Sequence, residues 1–72
     1  MADEITPEKV SLTGRELDVL RLLAKGYTST KMTESLGLKP PTVMWYRKRL
    51  HKKFKVHNMA GLLFKATEQK IL

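Results

Sequence analysis

A dense run of positive charge is the feature of this sequence with the clearest chemistry. Residues 47–55, with the sequence RKRLHKKFK, carry six Lys or Arg side chains and no carboxylate. The whole chain has 14 Lys and Arg against 7 Asp and Glu, a formal net charge of +7. A field of this sign attracts polyanions, which are nucleic acids, acidic lipid surfaces or acidic proteins. Because most acidic residues precede the run, one end of the fold is expected to be strongly positive.

Apolar and basic side chains alternate around the helix predicted for residues 40–54. Its inward stripe is Val43, Tyr46, Leu50 and Phe54. The helical period then turns outward Met44, Trp45, Lys48, Arg49 and Lys52. In the major groove of DNA, apolar atoms can contact thymine methyl groups, Lys or Arg can donate to guanine, and flanking cations can neutralise phosphates. Met44, Trp45 and Lys48 are therefore expected to face bases, and Arg49 and Lys52 phosphates. The alternatives are a buried Trp45 and a Met44 that is simply exposed.

A second candidate phosphate site lies at the start of the preceding helix, which Thr28 can cap. The free backbone N–H groups around Ser29 and Thr30 suit a phosphate, and Lys31 adds a positive charge beside them.

Other reactive side chains lack the neighbours that catalysis or metal binding needs. Glu16 is interpreted as a helix cap or as a partner of Arg47. His51 and His57 have no further ligand beside them, and the chain has no cysteine. The hydroxyl groups have no paired base and are interpreted as caps or phosphate contacts; they belong to Thr13, Ser29 and Thr42. We therefore predict no enzyme, no metal and no cofactor.

Capping residues and apolar periods predict an all-α fold of four helices, at roughly 14–25, 29–36, 40–54 and 58–70. The segment Thr13-Gly-Arg-Glu16 has the form of a capping box, and Gly26 and Gly37 are helix stops. Pro40 and Pro41 suit a first helical turn. The short turn at residues 36–39 forces the second and third helices to cross steeply, as in a helix-turn-helix. Residues 1–11 are expected to be a mobile arm or linker remnant, and residues 12–72 the domain.

The remaining inward positions follow from the same periods. The first helix is expected to bury Leu17, Leu20 and Ala24, with Val19, Leu22 and Leu23 beside them. The second is expected to bury Met32 and Leu36, with Ser35 at the margin. The fourth has an apolar face that serves the core, a dimer contact or both: Met59, Leu62, Leu63 and Ala66.

Several segments together resemble a known family. They are residues 12–16 (LTGRE), 19–26 (VLRLLAKG), 36–38 (LGL), 42–43 (TV) and 52–56 (KKFKV). Over residues 12–66 the chain is similar to the LuxR-type (NarL/FixJ, GerE) helix-turn-helix of bacterial transcription regulators. The resemblance implies that the third helix is the recognition helix and that the fourth often forms a dimer contact. It also implies a phosphate contact for Thr42, base or phosphate contacts for Met44, Trp45 and Lys48, and a backbone contact for Lys52.

Four positions depart from the pattern of the family. Gly14 replaces a usual proline, Lys39 a usual Ser or Thr cap, and Met44 a lysine that often contacts DNA. Arg47 stands at a commonly aliphatic position, so its stem is expected to cover the core while its guanidinium reaches outward.

These observations predict a sequence-specific regulator of transcription that binds double-stranded DNA as a dimer in the bacterial cytoplasm. A sensor or receiver domain is expected to accompany such a module. The alternative is a protein-interaction module that docks an acidic partner through the basic face, with Trp45 as anchor. A helix lying on a membrane over residues 43–54 ranks lower, because its apolar face is needed by the core. Nothing in the sequence resembles a signal peptide or a membrane span.

Overall fold

The computed structural model describes residues 10–72, which form four α-helices and no β-strand. The helices are α1 (Gly14–Ala24), α2 (Ser29–Leu36), α3 (Pro40–Phe54) and α4 (Met59–Glu68). The all-α, four-helix prediction is confirmed. The predicted bounds of α2 and α3 are those observed. α1 ends one residue earlier than predicted, and α4 begins one residue later and ends two residues earlier.

Three of the four helices begin with a side-chain cap. The Thr13 hydroxyl accepts a bond of 3.2 Å from the Glu16 N–H, and the Glu16 carboxylate accepts one of 2.9 Å from the Thr13 N–H. This reciprocal pair is the predicted capping box. Thr28 and Asn58 cap α2 and α4. Lys39 provides no side-chain cap for α3, which instead begins with two prolines whose missing N–H groups need no partner.

Left-handed backbone ends α2 and α3. Gly37 has φ +68°, which glycine adopts without a steric penalty, and the turn to α3 follows at once. Lys55 adopts the same region with φ +56° at the end of α3, where a side chain with a Cβ is disfavoured. These two turns fix where α3 begins and ends relative to its neighbours.

The core lies around α3, which packs against α1, α2 and α4. Nine apolar residues are buried: Val19, Leu20, Leu23, Met32, Val43, Leu50, Phe54, Leu62 and Ala66. Tyr46 is half-buried and packs against this cluster, so the predicted inward stripe of α3 is correct.

Three of the predicted inward positions are wrong or only partly right. Ala24 is exposed at the last residue of α1, and Ser35 is exposed because it lies to one side of the stripe by which Met32 and Leu36 meet the core. Leu17 is half-buried and is not part of the core cluster, because Glu16 occupies the face of α1 that meets α3.

The segment before α1 is bonded to α3 and to the residue that follows α4. The Val10 N–H donates a bond of 2.8 Å to the Gln69 side chain, and the Ser11 carbonyl accepts one of 3.0 Å from Lys53 Nζ. The expected mobile arm at residues 1–11 lies outside the described residues for its first nine positions. Within residues 10–72, no helix has the length and apolar character to cross a bilayer.

Candidate nucleic-acid interface

The outward face of α3 carries a strip of apolar and basic side chains. Met44 is 46% exposed and Trp45 is 53% exposed, although both are large apolar residues. Lys48 and Lys52 are exposed beside them. The prediction that this face points away from the core is confirmed, and burial of Trp45 is excluded. We call these four residues the α3 strip.

Polar contacts to the neighbouring helices border the α3 strip on both sides. Toward α2, Arg47 Nη1 donates a bond of 2.7 Å to the Ser29 hydroxyl. Toward α1, Arg49 Nε lies 2.6 Å from one Glu16 carboxylate oxygen and Lys53 Nζ lies 2.7 Å from the other. These contacts oppose rotation of α3 about its own axis, and they hold the strip outward.

The Glu16 carboxylate is the buried charge of this arrangement, with a residue exposure of only 1%. Its burial raises the pKa, but bonds from Lys53, the Thr13 N–H and Arg49, together with the charge of Lys53, outweigh that effect. The net result lowers the pKa of Glu16 from 4.5 to about 2. Glu16 therefore stays ionised near neutral pH and binds two cations of α3 at once.

The expected pairing of Glu16 with Arg47 is wrong, whereas its role as a cap is confirmed. Arg47 and Arg49 are separated by about 200° around α3, so only one of them can face α1. Arg49 and Lys53 lie one turn apart on that side and reach the carboxylate together. Arg47 is half-buried and reaches α2, so its guanidinium bonds a serine hydroxyl.

The Trp45 indole has two neighbours that touch different parts of its ring system. The Arg49 guanidinium carbon lies 5.1 Å from the centroid of the ring. The Tyr46 ring lies 4.9 Å away, centroid to centroid, at an interplanar angle of 80°, which is an edge-to-face contact. Cation–π and edge-to-face pairs of this geometry are attractive. Trp45 is therefore exposed to solvent and is also contacted by two neighbouring side chains.

The predicted phosphate site at the start of α2 lies beside the strip. Ser29 is connected to α3 through Arg47, and Thr30 and Lys31 are exposed. Lys31 Nζ lies 4.9 Å from the centroid of the half-buried Tyr27 ring, which holds the cation near the helix start. Thr42 is half-buried in the first turn of α3. The bond between Ser29 and Arg47 thus joins the start of α2 to α3.

The predicted dimer face on α4 needs correction. Leu62 and Ala66 are fully buried in the core of the chain, so neither can contact a second copy. Met59 and Leu63 are half-buried. Phe64, which sequence reasoning missed, is 67% exposed and is the most exposed large apolar side chain of the described residues. The outward phase of position 64, opposite the buried positions of α4, was the signal that pointed to it.

Comparison with known proteins accords with this geometry. Residues 10–66 match the model of the family described as bacterial regulatory proteins, luxR family. The chain is 40% identical over 53 residues to a putative transcriptional regulator of Pseudomonas aeruginosa, and 37% identical over 59 residues to the response regulator UvrY of Escherichia coli K12. These matches cover 74% and 75% of this chain but 26% and 27% of the relatives. The transcriptional regulatory protein MctR of Rhizobium johnstonii is 32% identical over all 72 residues, which are 34% of its length.

The chain belongs to the luxR family of bacterial regulatory proteins. It is a helix-turn-helix domain of the DNA-binding type found in transcription regulators, and the family is not a class of enzymes. The chain spans about a quarter to a third of the length of these luxR-family relatives.

The structure shows how this luxR-family domain accommodates two departures from the pattern of the family. The Lys39 side chain does not cap α3. Pro40 and Pro41 occupy the first turn of the helix instead. Arg47 bonds Ser29 across the turn. Among residues 10–72, no cluster of three or more His, Cys, Asp or Glu side chains is placed to hold a metal ion.

Proposed function

We propose that this domain binds specific sequences of double-stranded DNA by inserting α3 into the major groove. The observation that carries the proposal is the α3 strip, which exposes Met44 and Trp45 beside two lysines while the opposite face of the helix packs into the core. A solvated helix gains nothing by exposing an indole and a thioether. In the groove these groups meet base edges and thymine methyl groups.

Each residue of the surface has a role in this proposal. Met44, Trp45 and Lys48 face bases, since they lie on the outward face of α3 toward its N-terminal end, which is the part of a recognition helix that contacts base edges. Phosphate oxygens are bound by Lys52 at the C-terminal end of the strip and by groups beside the strip, namely Ser29, Thr30, Lys31 and Thr42. For Arg49, the bond of its Nε to Glu16 and its position beside Trp45 favour a role other than the predicted phosphate contact. Phosphate contacts fix the register of the domain, and base contacts give it specificity.

We further propose that the domain acts as the effector part of a longer regulator and docks as a homodimer through α4. Its relatives are about three times as long as this chain, and one of them is a response regulator. A sensor or receiver domain would then control dimer formation. Two copies would occupy half-sites about one helical turn of DNA apart. Such a protein works on the chromosome in the cytoplasm.

Selection of bound duplexes from a random pool tests the proposed function. We expect a preferred sequence to emerge, with two related half-sites. An acidic protein partner is the alternative, and it predicts a flat pool and an interaction that duplex DNA does not displace. Recovery of no preferred sequence would contradict the proposal.

The dimer contact predicts an effect of Phe64→Lys. This side chain is 67% exposed on α4, so its replacement leaves the core intact and introduces a charge at the proposed interface. We expect affinity for a two-half-site duplex to fall about ten-fold or more, as for an interface anchor, while affinity for a single half-site stays within about two-fold. Mobility-shift titrations on the two duplexes measure both. Thr67→Lys adds a comparable charge one turn away and maps the extent of the contact.

A further inference from the structure

We infer that Glu16 and Arg49 are positioning residues for Trp45, and that through this indole they determine which bases the domain prefers. The inference rests on the proposed function, since it assigns a purpose to an aromatic side chain at the DNA-facing surface. It also gives Arg49 a role different from the phosphate contact that its position in the cationic run suggests.

The chain of contacts begins at the buried Glu16 carboxylate. Glu16 is held by the Thr13 N–H and by Lys53, and its residue exposure is 1%. Its second oxygen lies 2.6 Å from Arg49 Nε, which is a short, charge-assisted hydrogen bond. The guanidinium is therefore anchored at one edge, although the Arg49 side chain is 47% exposed.

From this anchor the guanidinium plane reaches the Trp45 ring at 5.1 Å. Residues 45 and 49 are one helical turn apart, so their side chains are neighbours on the surface of α3. Tyr46 contacts the indole edge-to-face at 4.9 Å. An exposed tryptophan with one neighbour would move among rotamers, whereas Trp45 is restrained by both. Less side-chain entropy is then lost when the indole meets a base.

The contacts of Arg49 also predict that its loss changes the specificity of DNA binding more than the overall affinity. Glu16 shares its single negative charge between Arg49 and Lys53, and the Arg49 guanidinium is directed at Glu16 and the indole. Its removal should therefore release fewer counterions than removal of a lysine that contacts a phosphate. An indole that adopts several rotamers contacts several bases equally well. Loss of Arg49 should therefore reduce discrimination among sequences and leave the salt dependence of binding unchanged.

The restraint on the Trp45 indole can be tested in the free protein, without DNA. Trp45 is the one tryptophan of the chain, so tryptophan fluorescence reports on this site alone. We expect Arg49→Met to lower the ratio of restrained to free indole by about two- to five-fold, the value of an exposed cation–π contact. Arg49→Lys keeps a cation and should keep part of the restraint. Time-resolved fluorescence anisotropy measures this ratio. Both variants keep the bond between Glu16 and Lys53, so the fold is retained. Lys25→Met removes the same charge on the far face of α1 and should leave the anisotropy unchanged.

The duplex obtained by selection provides the second arm. We expect Arg49→Met to lower the ratio of affinities between that duplex and its single-base variants by about two- to five-fold, with an unchanged slope of log affinity against log salt. Losses for Arg49→Met and Trp45→Ala should be non-additive in the double variant. Glu16→Gln should resemble Arg49→Met in the mobility of the indole and in the loss of discrimination, at temperatures where circular dichroism shows it folded. Its salt slope should instead become steeper, because Arg49 and Lys53 lose their carboxylate partner.

The outcomes separate this inference from the proposed function. If the indole moves more freely in Arg49→Met, the restraint is supported. If the selection then yields no preferred duplex, the DNA-binding proposal is contradicted while the restraint stands. An unchanged anisotropy, or a salt slope that falls by about 0.9 for each Arg49 removed, overturns the inference and makes Arg49 a phosphate ligand.

Discussion

Replacement of Glu16 by glutamine is expected to destabilise the domain by about 2–3 kcal/mol at neutral pH. The pKa of Glu16 is lowered from 4.5 to about 2, so the fold favours the ionised carboxylate over a neutral group of the same shape. The amide also places a donor against Arg49 or Lys53, which both need acceptors. Since a domain of 72 residues has a total stability of about 4–11 kcal/mol, the loss is large. Urea unfolding followed by circular dichroism measures it.

The same carboxylate predicts the direction of the pH dependence. In the unfolded chain Glu16 binds a proton near pH 4.5, whereas in the folded domain it does so only near pH 2. Between these values the unfolded state binds the extra proton, so stability falls as the pH is lowered through this window. Above pH 4.5 the contribution of Glu16 is fully present. The stability of the Glu16→Gln variant should not show the fall that titration of Glu16 causes between pH 4.5 and 2. Its free energy of unfolding should therefore approach that of the wild type toward pH 2.

Glu34→Gln is the matched control for this prediction. Glu34 is exposed on α2 and forms no ion pair within residues 10–72, so its replacement should change stability by less than about 0.5 kcal/mol. Equal stabilities of Glu16→Gln and the wild type at pH 7 would show that the cations of α3 do not depend on this carboxylate.

Local signals explain why the four helices were predictable from the sequence. A cap acts within three or four residues, as Thr13 and Glu16 do, and a left-handed stop acts at one residue, as Gly37 does. The double proline marks the start of α3 without reference to any other helix. The exposure of Met44 and Trp45 also followed from helical phase, because it depends only on which face of α3 is apolar.

Contacts between helices were less predictable, because they depend on how the helices are docked. The bond between Glu16 and Arg49 joins residues 33 positions apart, and only the rotation of α3 against α1 decides that Arg49 and not Arg47 reaches the carboxylate. The α4 face shows the same limit. The apolar period of α4 was correct, but docking on α3 buries Leu62 and Ala66 completely and exposes Phe64.

These docking contacts connect the fold to the proposed binding surface. Arg47 and Arg49 belong to a run of cations that sequence alone assigns to a polyanion, yet both bond neighbouring helices. The cations left for DNA are fewer than the net charge suggests. Lys31, Lys48 and Lys52 are exposed and have no carboxylate partner in the described part of the chain. The number of such groups determines the salt dependence of binding.

Affinity for the preferred duplex is expected to fall about 10³-fold when monovalent salt rises from about 50 to about 200 mM. Three exposed lysines in each protomer, with Lys48 counted because a cation in the groove also displaces counterions, neutralise about six phosphates in a dimer. The expected slope of log affinity against log salt is therefore near −5. A count that included Arg47, Arg49 and Lys53 would give twice that slope. The salt titration therefore distinguishes lysines that are free from cations that the fold has already engaged.

Lys52→Ala is expected to reduce this slope by about 2 in the dimer, one contact being lost from each protomer, and to weaken all duplexes alike. Lys25→Ala removes the same charge from the exposed end of α1, on the side opposite Glu16, and should change the slope by less than about 0.5. Mobility-shift or anisotropy titrations at four or more salt concentrations provide the measurement. If both variants lowered the slope equally, net charge and not the α3 strip would govern binding, and the proposed groove contact of α3 would have no support.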